Sequence, residues 1–230
     1  MNLDQYLNMI HHPIYLDHCR LFGSDFFEFF TRNKFIMIPG IWLPAVTILS
    51  LMTIFSTPEN PNFIEEYLYY ESPKFAGIFG YLACIFAGLC LWSFSEYMLH
   101  RYLFHFEDLL PNNPYFFLLH YVIHGIHHQI PMDPDRLVFP PVLAVIMYFI
   151  LTTLYNFLFG PTLGTLLFCG FGIGYVLYDM FHFTIHHGNF KIEHLKEMKN
   201  YHTKHHYIDG NRGYGITSKF WDKVFHTELH

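Results

Sequence analysis

A chain of 230 residues in which 52% are hydrophobic and 20% aromatic is apolar for its length. Its charged residues make up 14% of the chain, against about 25% in ordinary soluble proteins, and this favours a small membrane protein over a soluble domain. The net charge of −6 argues against nucleic acid as a partner, because a phosphate backbone is bound by basic surfaces.

Three long uncharged stretches predict four membrane-spanning helices. They cover residues 35–58, 75–95 and 137–178, and a helix needs about 20 residues to cross a hydrocarbon core about 30 Å thick. The third stretch is interrupted by Gly160 and Pro161, so it predicts two helices joined by a tight turn. We therefore expect an all-α integral membrane fold with four transmembrane helices. The expected spans are about 35–55, 75–95, 137–158 and 162–181.

The distribution of Lys and Arg orients these helices. With four spans, the segments 1–34, 96–136 and 182–230 lie on one side of the membrane and hold every basic residue except Lys74. The positive-inside rule places this side, with both termini, in the cytosol. We expect a cytosolic N-terminal segment, 1–34, followed by a membrane domain, 35–230. The cytosolic cap of this domain is formed by 96–136 and 182–230.

Ten of the 18 histidines lie just beyond the predicted spans, on the side that holds the basic residues. They are His100, His105, His124, His127, His128, His182, His186, His202, His205 and His206. Their four stretches have the spacings HxxxxH, HxxHH, HxxxH and HxxHH. The topology alone therefore brings imidazoles from distant parts of the sequence to one membrane depth.

The spacing of these histidines suits metal binding, because residues three or four apart share one face of a helix. His100 and His105 are five apart and would diverge by about 140° on an α-helix, so that they would serve different metals. Neutral imidazole binds Zn, Cu, Fe and Ni. Two tetrahedral zinc ions would use eight ligands, whereas two ions of higher coordination number would use five each and leave a position open for a reactant. The number of ligands therefore favours a dinuclear catalytic site without naming the metal.

The histidine pattern resembles that of the membrane fatty acid hydroxylase superfamily, and within it the fatty acid 2-hydroxylases that act on sphingolipid acyl chains. The resemblance is carried by "EYMLHRYLFH", "HGIHHQIPMDPDRLVFPP", "GYVLYDMFHFTIHHG" and "GYGITSKFWDKVFHT", which run from Glu96 to Thr227. The segment "GSDFFEFF" ahead of the first span is a weaker match to the same group. Desaturases and sterol or carotenoid hydroxylases share the histidine core, while "HHQIPMDPDRLVFPP" and "GYGITSKFWD" narrow the resemblance to the 2-hydroxylases.

The resemblance implies a monooxygenase of the endoplasmic reticulum membrane that uses O2 and two electrons to hydroxylate carbon 2 of long or very long acyl chains. It implies that the ten histidines hold two metal ions, with iron expected for activity and zinc possible in purified material. Some family members carry an N-terminal cytochrome b5 domain with a haem-binding "HPGG" motif. This sequence has no such motif and resembles the shorter plant-type members, so we expect no haem in this chain. The expected electron donor is a separate protein, cytochrome b5 with its reductase.

Asp179 lies three residues before His182 and is a candidate for supporting the site. Its carboxylate would accept a hydrogen bond from the free N–H of a ligand and raise the basicity of that ligand. A charge at a helix end would explain the residue equally well.

Two other functions remain open on the sequence. A desaturase or a sterol or carotenoid hydroxylase would share the metal core and differ in its product. A histidine-rich metal store or transporter belongs to another class, and transport would place ligands near the middle of the membrane. The predicted spans contain no histidine between their charged boundaries, which disfavours transport.

Overall fold

The computed structural model describes residues 1–55, 74–139 and 141–230, and every regular element within them is a helix. The loop expected between the first two spans, 56–73, lies outside these residues. In chain order the helices are α1 (Leu3–Ile10), α2 (Asp25–Thr31), α3 (Met37–Phe55), α4 (Lys74–Leu99), α5 (Pro114–His120), α6 (Ile126–Gln129), α7 (Pro141–Phe159), α8 (Pro161–His187), α9 (Glu193–Tyr207) and α10 (Phe220–Phe225). Two π-helical turns, His100–Phe104 and Tyr121–Gly125, follow α4 and α5, and Glu107–Leu109 forms a 3-10 turn.

Within the described residues, four helices are long and apolar enough to cross a membrane. They are α3, α4, α7 and α8. The protein is an all-α integral membrane protein, and the fold class expected from the sequence is confirmed. α8 is the most enclosed of the four: 67% of its most apolar window is buried, against 17% or less in the others.

The second and fourth spanning helices continue beyond the ends expected from the uncharged stretches. α4 runs to Leu99 and α8 runs to His187, whereas the expected ends were 95 and 181. Glu96 does not end α4 because its side chain is buried. Its Oε1 accepts hydrogen bonds from the backbone N–H groups of Ile216 at 3.3 Å and Thr217 at 3.2 Å. A charge that is hydrogen-bonded inside the protein does not mark a helix end.

The chain divides into two compact units. The cap unit comprises Met1–Phe35, Ser95–Val142 and Tyr178–His230, and the span unit comprises Ile36–Phe94 and Leu143–Leu177. All ten candidate histidines belong to the cap unit.

In the span unit, glycines allow α4 and α8 to approach each other closely. A Cβ added to Gly88 would collide with the backbone of Leu167, and one added to Gly170 would collide with the backbone of Ile85. Small residues at such crossings are the usual means of packing helices in a membrane, where lipid is as apolar as the side chains.

In the cap unit, the N-terminal helix packs onto the segment that leads to the first HxxHH motif. α1 begins with a capping box, in which the Asn2 side chain accepts a hydrogen bond from the backbone N–H of Gln5. Tyr6 of α1 is fully buried in a cluster with Ile10, Leu110 and Phe117. The Tyr6 ring stacks on Phe117 with the ring centroids 5.0 Å apart. This cluster holds α5 in place next to the π-helical turn that carries His124.

Candidate metal centre

The ten histidines of the sequence pattern gather into two groups of five. In each group, one nitrogen of every imidazole lies within 4.8 Å of the corresponding nitrogen of all the others. The first group consists of His100, His105, His124, His128 and His205. The second group consists of His127, His182, His186, His202 and His206. Every one of the ten is thus placed in a cluster that could hold a metal ion.

The two HxxHH motifs each contribute to both groups. The i, i+4 pair His124 and His128 belongs to the first group, and the intervening His127 belongs to the second. In the other motif, His202 and His206 belong to the second group and His205 to the first. Residues four apart point almost the same way along a helix, while adjacent residues diverge by about 100°. Two such helices therefore build two adjoining groups at once.

The expectation that His100 and His105 would serve different metals is wrong, because both lie in the first group. The reason is local backbone geometry. The backbone N–H of His105 bonds to the carbonyl of His100 at 3.1 Å, closing an i, i+5 turn of the π type. A π-turn needs more residues to complete one revolution than an α-turn. The two side chains therefore converge where a regular α-helix would separate them.

The nitrogen atoms within each group lie close to one another. In the second group, His202 Nε2 lies 2.8 Å from His182 Nε2 and 2.9 Å from His206 Nε2. His186 Nε2 lies 3.2 Å from His182 Nε2. A neutral imidazole has a single N–H. These Nε2 atoms cannot all donate to one another, so several of their lone pairs face each other at short distance. A cation at the centre of the group would satisfy them.

For two rings of the first group, hydrogen bonds show which nitrogen is left to bind a metal ion. His100 Nδ1 lies 2.6 Å from the carbonyl oxygen of Tyr214, and His205 Nδ1 lies 2.7 Å from that of Arg212. A carbonyl oxygen only accepts, so both Nδ1 atoms carry the proton and each Nε2 keeps a lone pair. These Nε2 atoms are buried and have no hydrogen-bond partner among the described residues. Such lone pairs fit a metal ion.

Burial keeps the imidazoles outside the spanning helices in their neutral, metal-binding form. Burial, reinforced by the neighbouring imidazoles, lowers the pKa of His127 to about 3. For the same reasons, the pKa values of His124, His128, His202 and His206 lie well below 6.5. Metal ligation requires the deprotonated ring. The cap therefore presents neutral donors near neutral pH.

Glu107 is a supporting residue that the sequence analysis did not identify. Its carboxylate is 3.2 Å from His105 Nδ1, 3.4 Å from His11 Nε2 and 3.6 Å from His120 Nε2. A carboxylate that accepts from a ligand ring fixes its tautomer and orientation. The signal in the sequence was the position of Glu107 two residues after His105, within a largely apolar segment.

The "GYGITSKFWD" segment is held by two buried carboxylates. Glu96 accepts from the backbone of Ile216 and Thr217, as described above. Asp222 accepts from the N–H groups of Tyr214 at 3.0 Å and Gly215 at 2.8 Å. The Tyr214 carbonyl, which accepts from His100, is therefore fixed on both sides of the turn.

Asp179, the remaining candidate of the sequence analysis, and His120, which that analysis did not name, are both buried. Asp179 is 1% exposed on α8, one turn before His182, and its support of a ligand stays a prediction. His120 is buried outside both groups. Its Nδ1 lies 2.5 Å from the Tyr6 hydroxyl, and its Nε2 lies 2.7 Å from the Phe104 carbonyl. It thus links α1 to the π-helical turn that follows α4.

A cavity of about 200 Å³ reaches the two groups from the surface of the cap unit. Three ligand candidates from the two groups, His128, His205 and His206, form its inner wall. Its outer part is lined by His11 and residues 207–211, among which the Ile208 side chain is 74% exposed. The cavity therefore brings members of both groups to the surface of the cap unit.

Comparison with known proteins agrees with this site. The family model described as "Fatty acid hydroxylase" matches residues 85–227, the part of the chain that holds all ten histidines. The "Dihydroceramide fatty acyl 2-hydroxylase FAH2" of Arabidopsis thaliana is 38% identical over 226 residues, which are 97% of this chain and 86% of that protein. The "Fatty acid 2-hydroxylase" of Mus musculus is 36% identical over 97% of this chain, which spans 60% of the mouse protein.

A solved structure has the same fold. The structure titled "Full length scs7p (only hydroxylase domain visible)" is similar to this chain with a TM-score of 0.85 and 34% sequence identity. The match covers 100% of this chain and 80% of that one. Together with the extent of the family match, this likeness shows that the chain belongs to the fatty acid hydroxylase family.

Proposed function

We propose that the protein is a membrane monooxygenase that hydroxylates carbon 2 of long or very long acyl chains in sphingolipids, such as ceramide, or in free fatty acids. The observation that carries the proposal is the assembly of ten imidazoles into two groups of five. Relatives at 33–38% identity named for acyl 2-hydroxylation support the substrate class. Two of them are named dihydroceramide fatty acyl 2-hydroxylases, and a further relative is named "Ceramide very long chain fatty acid hydroxylase scs7".

In the proposed reaction, the two atoms of O2 have different fates. One oxygen atom enters the C–H bond at carbon 2 and becomes the hydroxyl group. The other leaves as water, which takes up two protons and two electrons from an external donor. Amino-acid side chains do not activate O2 or cleave an unactivated C–H bond; a pair of redox metal ions supplies this chemistry when bound.

The chain's own residues would hold those ions and keep them in place. One ion would be held by His100, His105, His124, His128 and His205, and the other by the remaining five. Iron is the proposed metal for activity. Zinc is also bound by imidazole, but it has no redox chemistry, so zinc in purified protein would mark the sites without supporting turnover. Glu107 and the carbonyls of Tyr214 and Arg212 would orient three of the rings of the first group.

The electron donor in this proposal is a separate cytochrome b5 with its reductase. The cavity lined by His128, His205 and His206 supports entry of small reactants from outside the protein. Reconstitution with purified cytochrome b5, its reductase and NADH tests the donor. Turnover that is independent of cytochrome b5 in this system would contradict this part of the proposal.

We further propose that the protein resides in the endoplasmic reticulum membrane with its cap unit and both termini in the cytosol. The distribution of Lys and Arg supports this orientation. Cleavage of a C-terminal epitope tag by protease added to sealed microsomes is the expected result. A tag that is cleaved only after the microsomes are opened by detergent would contradict the orientation.

The deciding experiment is expression in cells that lack acyl 2-hydroxylase activity, followed by mass spectrometry of sphingolipids and free fatty acids. We expect acyl chains that have gained one oxygen atom at carbon 2. Acyl chains that have lost two hydrogens would indicate a desaturase. Oxidised sterols or carotenoids would indicate a sterol or carotenoid hydroxylase with the same histidine core. His12→Ala is a suitable control for histidine substitutions, since His12 is exposed and its Nδ1 lies 2.7 Å from the Asn8 carbonyl oxygen, away from both groups.

A further inference from the structure

The segment "GSDFFEFF" forms a short helix, α2, with two contrasting faces. Four phenylalanines point outward: the exposed fractions are 66% for Phe26, 56% for Phe27, 73% for Phe29 and 37% for Phe30. Glu28 points the opposite way and is 5% exposed. The arrangement is inverted relative to a soluble helix, in which the charged residue faces water and the aromatic residues face the core.

The four phenylalanines form one continuous surface, which we call the aromatic patch. The Phe26 ring centroid lies 5.5 Å from that of Phe27 and 5.0 Å from that of Phe30. Phe29 and Phe30 are 5.4 Å apart. A cluster of exposed large apolar side chains marks an interaction site, whereas isolated ones do not.

The exposure of the patch is fixed by the inner face of α2. The Glu28 carboxylate forms a buried ion pair with Arg136 and also accepts from the backbone N–H groups of Leu21 at 3.0 Å and Phe22 at 2.9 Å. Arg136 donates a further hydrogen bond to the hydroxyl of Thr31 at 2.5 Å. Turning the phenylalanines inward would break this buried ion pair, so α2 is held with its aromatic face outward.

We propose that the aromatic patch inserts into the membrane at the boundary between lipid headgroups and acyl chains. Five residues, 32–36, separate α2 from the first spanning helix. They can extend over at most about 18 Å, so α2 lies near the membrane surface. The connection contains Arg32 and the exposed Lys34, and basic residues beside apolar ones are typical of segments in this boundary.

The buried contacts of α2 would transmit this anchoring to the metal centre. Arg136 follows the first HxxHH motif by eight residues and belongs to the same compact unit as α2 and the ten histidines. Asp133 in the same turn also accepts from the backbone N–H of Cys19 at 2.6 Å. The patch would therefore set the depth of the cap unit relative to the lipid in which an acyl substrate is dissolved. The proposal concerns lipid contact and does not depend on the reaction proposed above.

Site-specific fluorescence quenching tests the insertion. p-Cyanophenylalanine is placed at position 29 of the full chain, which is then reconstituted into lipid nanodiscs. Quenching is measured with lipids brominated in the upper acyl chain and with aqueous iodide. The same probe at position 15 is the matched control, because Tyr15 is 71% exposed in the same N-terminal segment and lies outside the patch. Position 26 repeats the measurement within the patch.

We expect the brominated lipids to quench the probe at positions 29 and 26 at least roughly threefold more than at position 15, since an interfacial helix buries its apolar face in the acyl boundary. Iodide should show the opposite order. Quenching of position 29 by iodide alone would show that the patch faces water and would overturn the proposal. Protection from both quenchers would also overturn it, because the patch would then be covered by another protein or a second copy of the chain.

Discussion

His127 and His128 are adjacent in the chain but belong to different histidine groups. Their ring centroids are 6.1 Å apart with the ring planes at 78°. The His127 ring centroid lies 4.5 Å from that of His206 and 4.7 Å from that of His182, both in the second group. The His128 centroid lies 4.6 Å from that of His105 in the first group and 4.4 Å from that of His206 in the second. One short helix thus forms part of the wall of both groups. The adjacent His205 and His206 are divided between the groups in the same way, so both HxxHH motifs set the separation between the groups.

This arrangement predicts that His127→Ala and His128→Ala weaken different metal sites. Each variant should remain in the membrane and retain about one of two bound ions per chain, because one group loses affinity for its ion while the other keeps all five donors. Product formation should fall at least about a hundredfold in both, on the scale of metal-site mutations. Metal analysis of the purified proteins checks the stoichiometry, with His12→Ala as the control. Full metal content and full 2-hydroxylation in His127→Ala would contradict the assignment of this residue.

Replacement of Glu107 by Gln should weaken metal binding in the first group. The amide can still accept at its oxygen but removes the negative charge beside His105, and loss of such an outer partner typically lowers metal affinity about 10–100-fold. Competition with a chelator, followed by metal analysis, measures the change. Glu197→Gln is the control, since Glu197 is half-exposed and pairs with Lys219 at 2.7 Å. Equal metal loss in both variants would count against a role for Glu107.

Asp179→Asn tests the support expected for His182. If the carboxylate accepts from this ligand, the variant should lose metal from the second group faster than the wild type, by about 10-fold or more. The loss should leave the ion of the first group bound. Chelator-release kinetics on the wild type and the variant provide the measurement. Unchanged release would show that Asp179, which lies within α8 rather than at its end, does not support His182.

Asp222→Ala should destabilise the turn that carries the Tyr214 carbonyl. The variant leaves the backbone N–H groups of Tyr214 and Gly215 and the Thr227 hydroxyl without their shared acceptor. Each unsatisfied buried donor costs about 1–3 kcal/mol, so a loss of several kcal/mol in unfolding free energy is expected. Thermal unfolding in detergent checks it. Asp222→Asn, which keeps one acceptor oxygen, should lose less than the alanine variant.

Gly170→Val should disrupt the packing of α4 against α8 in the span unit. The added side chain would overlap the backbone of Ile85. This clash cannot be relieved by a change of side-chain rotamer, because the overlapped atoms belong to the backbone. Gly40→Val is the matched control in another spanning helix, because a Cβ at Gly40 meets nothing within 4 Å. Detergent-solubilised yield and thermal stability should fall for position 170 and change little for position 40. Equal stability of the two variants would show that the helices can separate without loss.

The spans and the set of metal-binding candidates could be predicted from the sequence, because both depend on local properties. Uncharged length identifies a membrane helix wherever it occurs, and histidines at i, i+4 spacing share a helix face whatever surrounds them. The histidine at i+3 in each HxxHH motif, by contrast, belongs to the other group. The same reasoning failed for His100 and His105, since it assumed an α-helix where the backbone forms a π-turn. It also missed Glu107, whose importance comes from three imidazoles that meet it in space.

The division of the ten histidines between two groups was decided by tertiary structure alone. The sequence by itself determined that His202, His205 and His206 lie on one helix, yet their partners His182, His186, His100 and His105 come from helices up to about a hundred residues away. Likewise, the orientation of the His100 ring depends on a carbonyl 114 residues along the chain, which Glu96 and Asp222 hold in place. Ring direction and hydrogen-bond partners are set by contacts between distant segments, and no spacing within one segment contains that information.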